Sequence, residues 1–295
     1  MSEKNATGLL FGGDWTEQKL AILAEYLAAY NTALKNQPFR RVYVDAFAGT
    51  GYRENRQKGF GIPDIFEETQ QDEPQRFLKG SAKRALEVEP SFDEYIFVES
   101  DADNVRALEK LRQEHKDRAM AITIVQGDAN DFVRDYCRKE DWRSVRAVLF
   151  LDPFATQVEW STIESVAATK AIDVWILFPL MAVNRLLAKD PHKACRDRLD
   201  AIFGTQEWFE RFYRTRKLDD IFGEPLEVVE KACDFKGISD FFLERLKAIF
   251  AGVSQKPRVF PNSRGSPLFQ LFFAASNAKG APIAVRIADH LLKGI

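Results

Sequence analysis

The chain has 295 residues, 45% of them hydrophobic, so it can bury the core of one large domain, which we place over 1–295. Its formal net charge of −2 excludes a strong overall attraction to nucleic acid or to anionic membranes. It has no apolar run of bilayer-spanning length, no basic-then-apolar leader pattern, and only three widely spaced cysteines. We therefore expect a cytoplasmic protein with reduced thiols and no membrane contact.

The histidines and cysteines do not form a metal-binding motif. The three histidines are scattered, and only His192 and Cys195 have a spacing that would place them on one face of a helix. Two ligands do not make a zinc site, so we predict no metal.

The first quarter of the chain combines an amphipathic helix, a buried strand and a polar segment. Apolar residues at helical spacing predict a helix over 16–35, which Gln37-Pro38 ends. A short apolar strand over 41–45 then opens into a glycine turn. Residues 52–78 are polar and are interrupted by glycine and proline, so we expect an insertion loop or lid there.

Strands and helices alternate through the middle of the chain. The predicted strands are 94–100, 121–128, 145–154 and 173–179, and the predicted helices are 81–89, 102–116, 132–139 and 160–169. This alternation implies right-handed crossovers and a mainly parallel sheet that helices cover on both faces.

The last third begins with a segment over 182–235 that is aromatic and charged and has no strand pattern, so we predict a helical insertion. A helix over 238–250, two strands within 259–276 and a helix over 282–293 follow. The predicted fold is α/β and Rossmann-like. It resembles the seven-stranded sheet of S-adenosylmethionine-dependent methyltransferases, which is mostly parallel with the last strand antiparallel.

Four predicted strands end in an acidic residue: Asp45, Glu99, Asp128 and Asp152. Parallel strands present their carboxyl ends at one edge of the sheet, so we expect the four acids to line a binding site for a polar ligand. Taken singly, each acid is better explained as a strand-end or helix-cap residue.

The spacing around these acids argues against two common cofactors. The third glycine of a dinucleotide-binding turn falls on Glu54, and no Gly-Lys-Ser/Thr sequence of a phosphate loop is present. A carboxylate-rich edge suits a ligand with an amino group and free ribose hydroxyls. S-adenosylmethionine fits that description.

The glycine turn VDAFAGTG (44–51) resembles the first motif of class I S-adenosylmethionine-dependent methyltransferases. The resemblance implies that Asp45 holds the amino group of S-adenosylmethionine. It also implies that Gly49 and Gly51 let the ligand approach the backbone, with Phe47 in the same cofactor-binding turn.

Two further segments resemble the next motifs of these enzymes. FVESD (97–101) resembles the second motif, which implies that Glu99 accepts both ribose hydroxyls. QGDAND (126–131) resembles the third, which implies that Asp128 binds the adenine amino group and that Ala129 adds a backbone contact.

Asp152, Pro153 and Phe154 resemble a shortened form of the Asp/Asn-Pro-Pro-aromatic motif of amino-group methyltransferases. There the carboxylate or amide and the proline carbonyl hold an exocyclic NH₂, and the aromatic ring stacks on its plane. Positioning is central to such an in-line transfer, and a nucleobase acceptor would have to be unpaired or flipped out. The second proline is missing, and Asp-Pro is also an ordinary strand end.

Nearly the whole chain resembles a narrower group, the three-Cys-motif partner proteins (TcmP) of bacteria. The resemblance rests on 14–39 running into VDAFAGTG, and on 150–160, 178–187 and 268–280. It implies a separate three-cysteine partner protein encoded nearby. We expect a methyltransferase acting on an amino group, with nucleic acid as one acceptor class. The alternative is an inactive methyltransferase-fold subunit of a bacterial defence or nucleic-acid-processing complex.

Two clusters of basic residues are candidates for nucleic-acid contact. They consist of Arg211, Arg214, Arg216 and Lys217, and of Lys256, Arg258 and Arg264. The alternative is a solvated surface, which the near-neutral overall charge favours.

Overall fold

The computed structural model describes residues 14–49, 80–219, 225–262 and 264–294, and these form a sheet covered by helices. The strands are β1 Arg40–Asp45, β2 Glu94–Glu99, β3 Ile122–Gln126, β4 Val145–Leu151, β5 Ile172–Phe178, β6 Tyr213–Asp219, β7 Pro225–Lys231, β8 Gly252–Val253, β9 Arg258–Pro261 and β10 Pro267–Ala275. The α-helices are α1 Asp14–Leu34, α2 Ser81–Leu86, α3 Ala102–Glu114, α4 Ala129–Lys139, α5 Trp160–Ala168, α6 Leu180–Leu186, α7 Arg196–Phe203, α8 Glu207–Phe212, α9 Phe235–Ile249 and α10 Ala281–Leu292.

The central sheet has the order β3-β2-β1-β4-β5-β10-β8, and β9 pairs with β10 as an eighth strand. Strands β1 to β5 pair in parallel, whereas β10 runs antiparallel to β5, β8 and β9. The predicted Rossmann-like fold, mostly parallel with its last strand antiparallel, is therefore confirmed. The path including the two-residue β8 has the expected seven strands, and β9 raises the number to eight.

Alternation along the strands divides the core into two layers. In β4, Leu149 and Leu151 face the layer formed with α4 to α9, while Val148 and Phe150 face the layer formed with α1, α2, α3 and α10. Successive side chains point to opposite faces of a strand, so each apolar strand supplies both layers. Rigid packing on both sides fixes the positions of the strand ends.

The helical prediction for 182–235 is wrong in its second half, because β6 and β7 form a separate two-stranded antiparallel hairpin there. The hairpin pairs charged residues across its strands, including Lys217 with Glu227. Backbone hydrogen bonds hold it without an alternating apolar pattern, so the sequence offered no strand signal. Gly51 and the predicted lid over 52–78 lie outside the described residues.

Within the described ranges, no helix is both long and apolar enough to span a membrane. The same ranges hold no group of three or more histidine, cysteine, aspartate or glutamate residues arranged to bind a metal ion.

Candidate functional site

The four acids of the sequence analysis follow four neighbouring strands. In the sheet order β3-β2-β1-β4, Asp128, Glu99, Asp45 and Asp152 stand at or just beyond the carboxyl ends. At about 4.8 Å between strands, the row is roughly 15 Å long. The structure thus places the four predicted acids along one edge of the sheet.

Asp45 is a fully buried carboxyl group at the centre of this row. Its Oδ1 accepts a 3.3 Å hydrogen bond from the Phe47 backbone N–H, and the Tyr43 hydroxyl lies 3.4 Å from its Oδ2. Burial raises its pKa to about 7. A hydrogen bond from Ser81 opposes that rise, whereas the charge of Asp152 adds to it. Near neutral pH a cationic partner would therefore stabilise the ionised form of the Asp45 carboxyl group.

Gly49 lies directly against the Glu99 carboxylate. A Cβ added at Gly49 would stand 1.8 Å from Glu99 Oε2 and 2.9 Å from Asn104 Nδ2. Only glycine fits this position without moving Glu99. The turn after β1 and the end of β2 are therefore in direct contact through the half-buried Gly49 and Glu99.

The loop after β2 orients Glu99. Its Oε1 accepts hydrogen bonds from the Asp101 backbone N–H at 2.8 Å and from the Ser100 hydroxyl at 3.2 Å. Asp101 in turn caps α3 by accepting from the backbone N–H groups of Asp103 and Asn104. The helix cap therefore fixes the loop that holds Glu99.

Asp128 has a structural role in addition to the predicted one. Its side chain caps α4 by accepting a 3.0 Å hydrogen bond from the Asp131 backbone N–H. The Asp128 residue is exposed and Ala129 behind it is buried. Both interpretations from the sequence, helix cap and edge residue, hold for its position.

Asp152 forms an ion pair with Lys19 of α1. The Lys19 Nζ lies 2.6 Å from Asp152 Oδ2, and the two side chains are 4% and 22% exposed. The same Nζ lies 5.1 Å from the Trp15 ring centre and 5.9 Å from that of Phe150. A nearly buried ammonium group thus already contacts the predicted acceptor-binding carboxylate.

Pro153 and Phe154 lie beside Asp152, Pro153 buried and Phe154 42% exposed. A buried asparagine fixes the segment that follows them. Asn130 donates to the Gln157 carbonyl at 2.9 Å and accepts from the Glu159 backbone N–H at 3.0 Å. The exposed Phe154 ring therefore lies next to a segment that the Asn130 side chain holds in place.

The sequence analysis did not identify Lys19, Ser81 or Asn104 as site residues. A signal existed for Lys19, because it precedes Leu23 by one helical turn and so falls on the apolar face of α1. A charged residue on such a face needs a buried partner. Nothing in the spacing of Ser81 or Asn104 indicated their contacts with Asp45 and the glycine turn.

Most of the predicted basic cluster near the hairpin is paired with acids. Arg211 pairs with Glu244 at 3.0 Å, Arg216 with Glu230 at 2.8 Å and Lys217 with Glu227 at 3.7 Å. In the second cluster, Arg258 donates to Gln18 Oε1 at 2.8 Å. The paired carboxylates reduce the local positive charge that phosphate binding requires.

The donor set of this edge fits S-adenosylmethionine. An ammonium group would stabilise the ionised Asp45 carboxylate, and the Glu99 carboxylate could accept hydrogen bonds from a pair of hydroxyl groups. Gly49 has no Cβ, so its backbone lies directly against the Glu99 carboxylate. A phosphate-bearing ligand would meet repulsion from the ionised, unpaired carboxylates of this edge instead.

No family model and no curated protein matches the chain. Among solved structures, a Legionella pneumophila protein of family model DUF519 has a TM-score of 0.48 at 12% identity, covering 96% of this chain and 92% of that one. A Klebsiella pneumoniae protein described as a candidate O-methyltransferase has 0.39 at 11%, with coverages of 88% and 87%. Spermidine synthase from Thermotoga maritima has 0.38 at 11%, with coverages of 94% and 62%. These likenesses are too weak to carry a functional argument.

Proposed function

We propose that the protein binds S-adenosylmethionine at the carboxyl edge of its sheet and transfers the methyl group to an amino group. One observation carries the proposal: the four strand-end acids stand in a row, with the fully buried Asp45 at its centre. Burial raises the pKa of Asp45 to about 7, so a cationic ligand beside it would stabilise the ionised carboxylate.

In this proposal different residues bind different groups of S-adenosylmethionine. Asp45 holds the amino group and Glu99 the ribose hydroxyls, while Asp128 and Ala129 face the adenine. Gly49 and Phe47 lie in the turn under the ligand, and the sequence motif adds Gly51 as a further proposed cofactor-binding residue. S-adenosylmethionine supplies an activated methyl group when bound, and the protein contributes position and charge.

Asp152, Pro153 and Phe154 form the acceptor side of the proposed site. The Asp152 carboxylate accepts a hydrogen bond from the acceptor amine, and the exposed Phe154 ring borders it. We also propose, from the resemblance to the TcmP group, that a separate three-cysteine protein works with this chain.

A second candidate function is a subunit that binds S-adenosylmethionine without transferring its methyl group. The Lys19–Asp152 ion pair favours it, because an ammonium group already contacts the carboxylate that an acceptor would need. An acceptor would have to displace Lys19 or bind beside it.

Transfer of a radiolabelled methyl group distinguishes the two candidates. The protein, alone and with its three-cysteine partner, is incubated with labelled S-adenosylmethionine and with DNA, RNA or protein. An active enzyme predicts incorporation, and Asp152→Ala should reduce it at least tenfold while S-adenosylhomocysteine still binds. Binding without any incorporation, on the chain itself or on an added acceptor, supports the inactive subunit.

A further inference from the structure

The Lys19–Asp152 pair forms a built site for an alkylammonium group. The Nζ is 2.6 Å from a carboxylate oxygen and lies within 6 Å of two aromatic ring centres, those of Trp15 and Phe150. A carboxylate combined with aromatic rings is the chemistry that proteins use to recognise alkylammonium ions. The side chain that fills this site is 4% exposed.

Neighbouring contacts of α1 hold this lysine in place. Glu17 pairs with Arg84 at 2.7 Å, and Gln18 accepts a 2.8 Å hydrogen bond from Arg258. The Trp15 ring packs against Phe260 and Phe269, with ring centres 5.9 Å and 5.1 Å away. Contacts on both sides of Lys19 therefore dock the start of α1 over the sheet edge.

The Nζ of Lys19 lies next to the proposed cofactor site. Asp45 and Asp152 follow the paired strands β1 and β4, and the Phe150 carbonyl accepts a 3.1 Å hydrogen bond from the Ala46 N–H. The charges of Lys19 and Asp152 both act on Asp45. If Asp45 holds the amino group of S-adenosylmethionine, an amine on Asp152 lies in the neighbouring subsite.

We propose that the Nζ of Lys19 is itself a methyl acceptor of this site, and that the acceptor class is therefore an aliphatic primary amine. This inference rests on the proposed function, because the methyl donor is S-adenosylmethionine. The proposed acceptor is then an alkyl amine, which the site already accommodates, and not the flat exocyclic amine of a nucleobase.

The chemical step balances. The Lys19 ammonium loses one proton to the Asp152 carboxylate, which is 22% exposed and passes the proton to water. The freed Nζ lone pair forms a bond to the methyl carbon as the carbon–sulfur bond breaks. The electron pair of that bond stays on sulfur, so the products are methylated Lys19 and S-adenosylhomocysteine.

Peptide mass spectrometry of the full chain tests the inference. The protein is incubated with S-adenosylmethionine without any added acceptor, and we expect Lys19 to gain about 14 Da per methyl group and to resist trypsin. Lys83 of α2 is the matched control and should stay unmodified. Asp152→Asn should lower the modified fraction at least tenfold. Unmodified Lys19 in protein that binds S-adenosylhomocysteine overturns the inference, as does a label found only on nucleic acid.

A second measurement needs no methyl donor. Lys19→Ala removes the propylamine part of the side chain, so n-propylammonium should bind in its place and raise the Tm of the variant by several degrees. The uncharged n-propanol should leave the Tm of Lys19→Ala unchanged. In the double variant Lys19→Ala/Asp152→Asn, n-propylammonium should also leave the Tm unchanged. A Tm of Lys19→Ala that the amine leaves unchanged overturns the ammonium site. Failure to bind S-adenosylmethionine, with amine rescue retained, overturns the proposed function and with it the methylation of Lys19, whereas the alkylammonium site stands.

Discussion

Asp45 shows how one buried carboxyl group links burial, charge and binding. Its pKa is about 7, chiefly because burial disfavours the charged form. Below that pH the group is protonated and has no charge to offer the ammonium of S-adenosylmethionine. If Asp45 holds that ammonium group, as we propose, ligand binding favours the ionised carboxylate and releases a proton near neutrality.

The affinity for S-adenosylmethionine should consequently depend on pH. We expect it to rise about tenfold per pH unit up to about pH 7 and to level off above, because Asp45 ionises over that range. Calorimetric titrations between pH 5.5 and 8.5 measure this. Asp45→Asn should bind more weakly and lose the pH dependence. A wild-type affinity that is constant across the range would show that Asp45 does not hold the amino group.

Gly49 allows a matched test of close approach. Gly49→Ala would place a Cβ 1.8 Å from Glu99 Oε2 and displace that carboxylate, so we expect S-adenosylhomocysteine to bind at least tenfold more weakly. The control is Gly127→Ala, two residues before Ala129, where a Cβ meets nothing within 4 Å. Equal affinities of the two variants, measured by calorimetry, would refute the role of the glycine turn.

At the scale of elements, α1 connects the two edges of the sheet. The stretch of this helix from Lys19 at the carboxyl edge to Asn31 at the opposite end is about 18 Å long, at about 1.5 Å per residue. There Asn31 donates to the Pro90 carbonyl at 2.7 Å, and midway the Tyr26 hydroxyl donates to Asp173 Oδ2 at 2.6 Å. Docking of α1 therefore couples the site to the core.

The Tyr26–Asp173 contact predicts a pH-dependent stability. Burial raises the pKa of Asp173 to about 7, which Tyr26 and the charge of Arg146 oppose. The folded state thus holds a proton that the unfolded state releases near pH 4, so the free energy of unfolding falls as pH rises from about 4 to 7. At about 1.4 kcal/mol per pKa unit, the loss is on the order of 2–4 kcal/mol.

Asp173→Asn should reduce this fall, since the amide still accepts from Tyr26 and does not ionise. Thermal unfolding from pH 4.5 to 8 measures it. The pKa of Asp45 is raised in the same way, so Asp173→Asn should keep roughly half of the wild-type fall in the free energy of unfolding with pH. A slope that Asp173→Asn leaves unchanged would contradict the assignment.

At the scale of the whole molecule, the sequence predicted the parallel sheet and the row of acids well, because apolar strand patterns are local. It did not predict the Lys19–Asp152 pair, whose members are 133 residues apart. It also missed β6 and β7, whose exposed cross-strand ion pairs leave no apolar alternation, and β8, which has only two residues. Contacts between distant segments set these features.

The central claim is that the carboxyl edge of the sheet binds S-adenosylmethionine. Isothermal titration calorimetry of the full chain at pH 8 with S-adenosylhomocysteine tests it most directly, with Glu99→Gln as the variant that keeps the size of the side chain. The account predicts one site per chain and a loss of roughly tenfold or more in the variant, since the amide accepts the ribose hydroxyls less well. No heat of binding with millimolar ligand would contradict it.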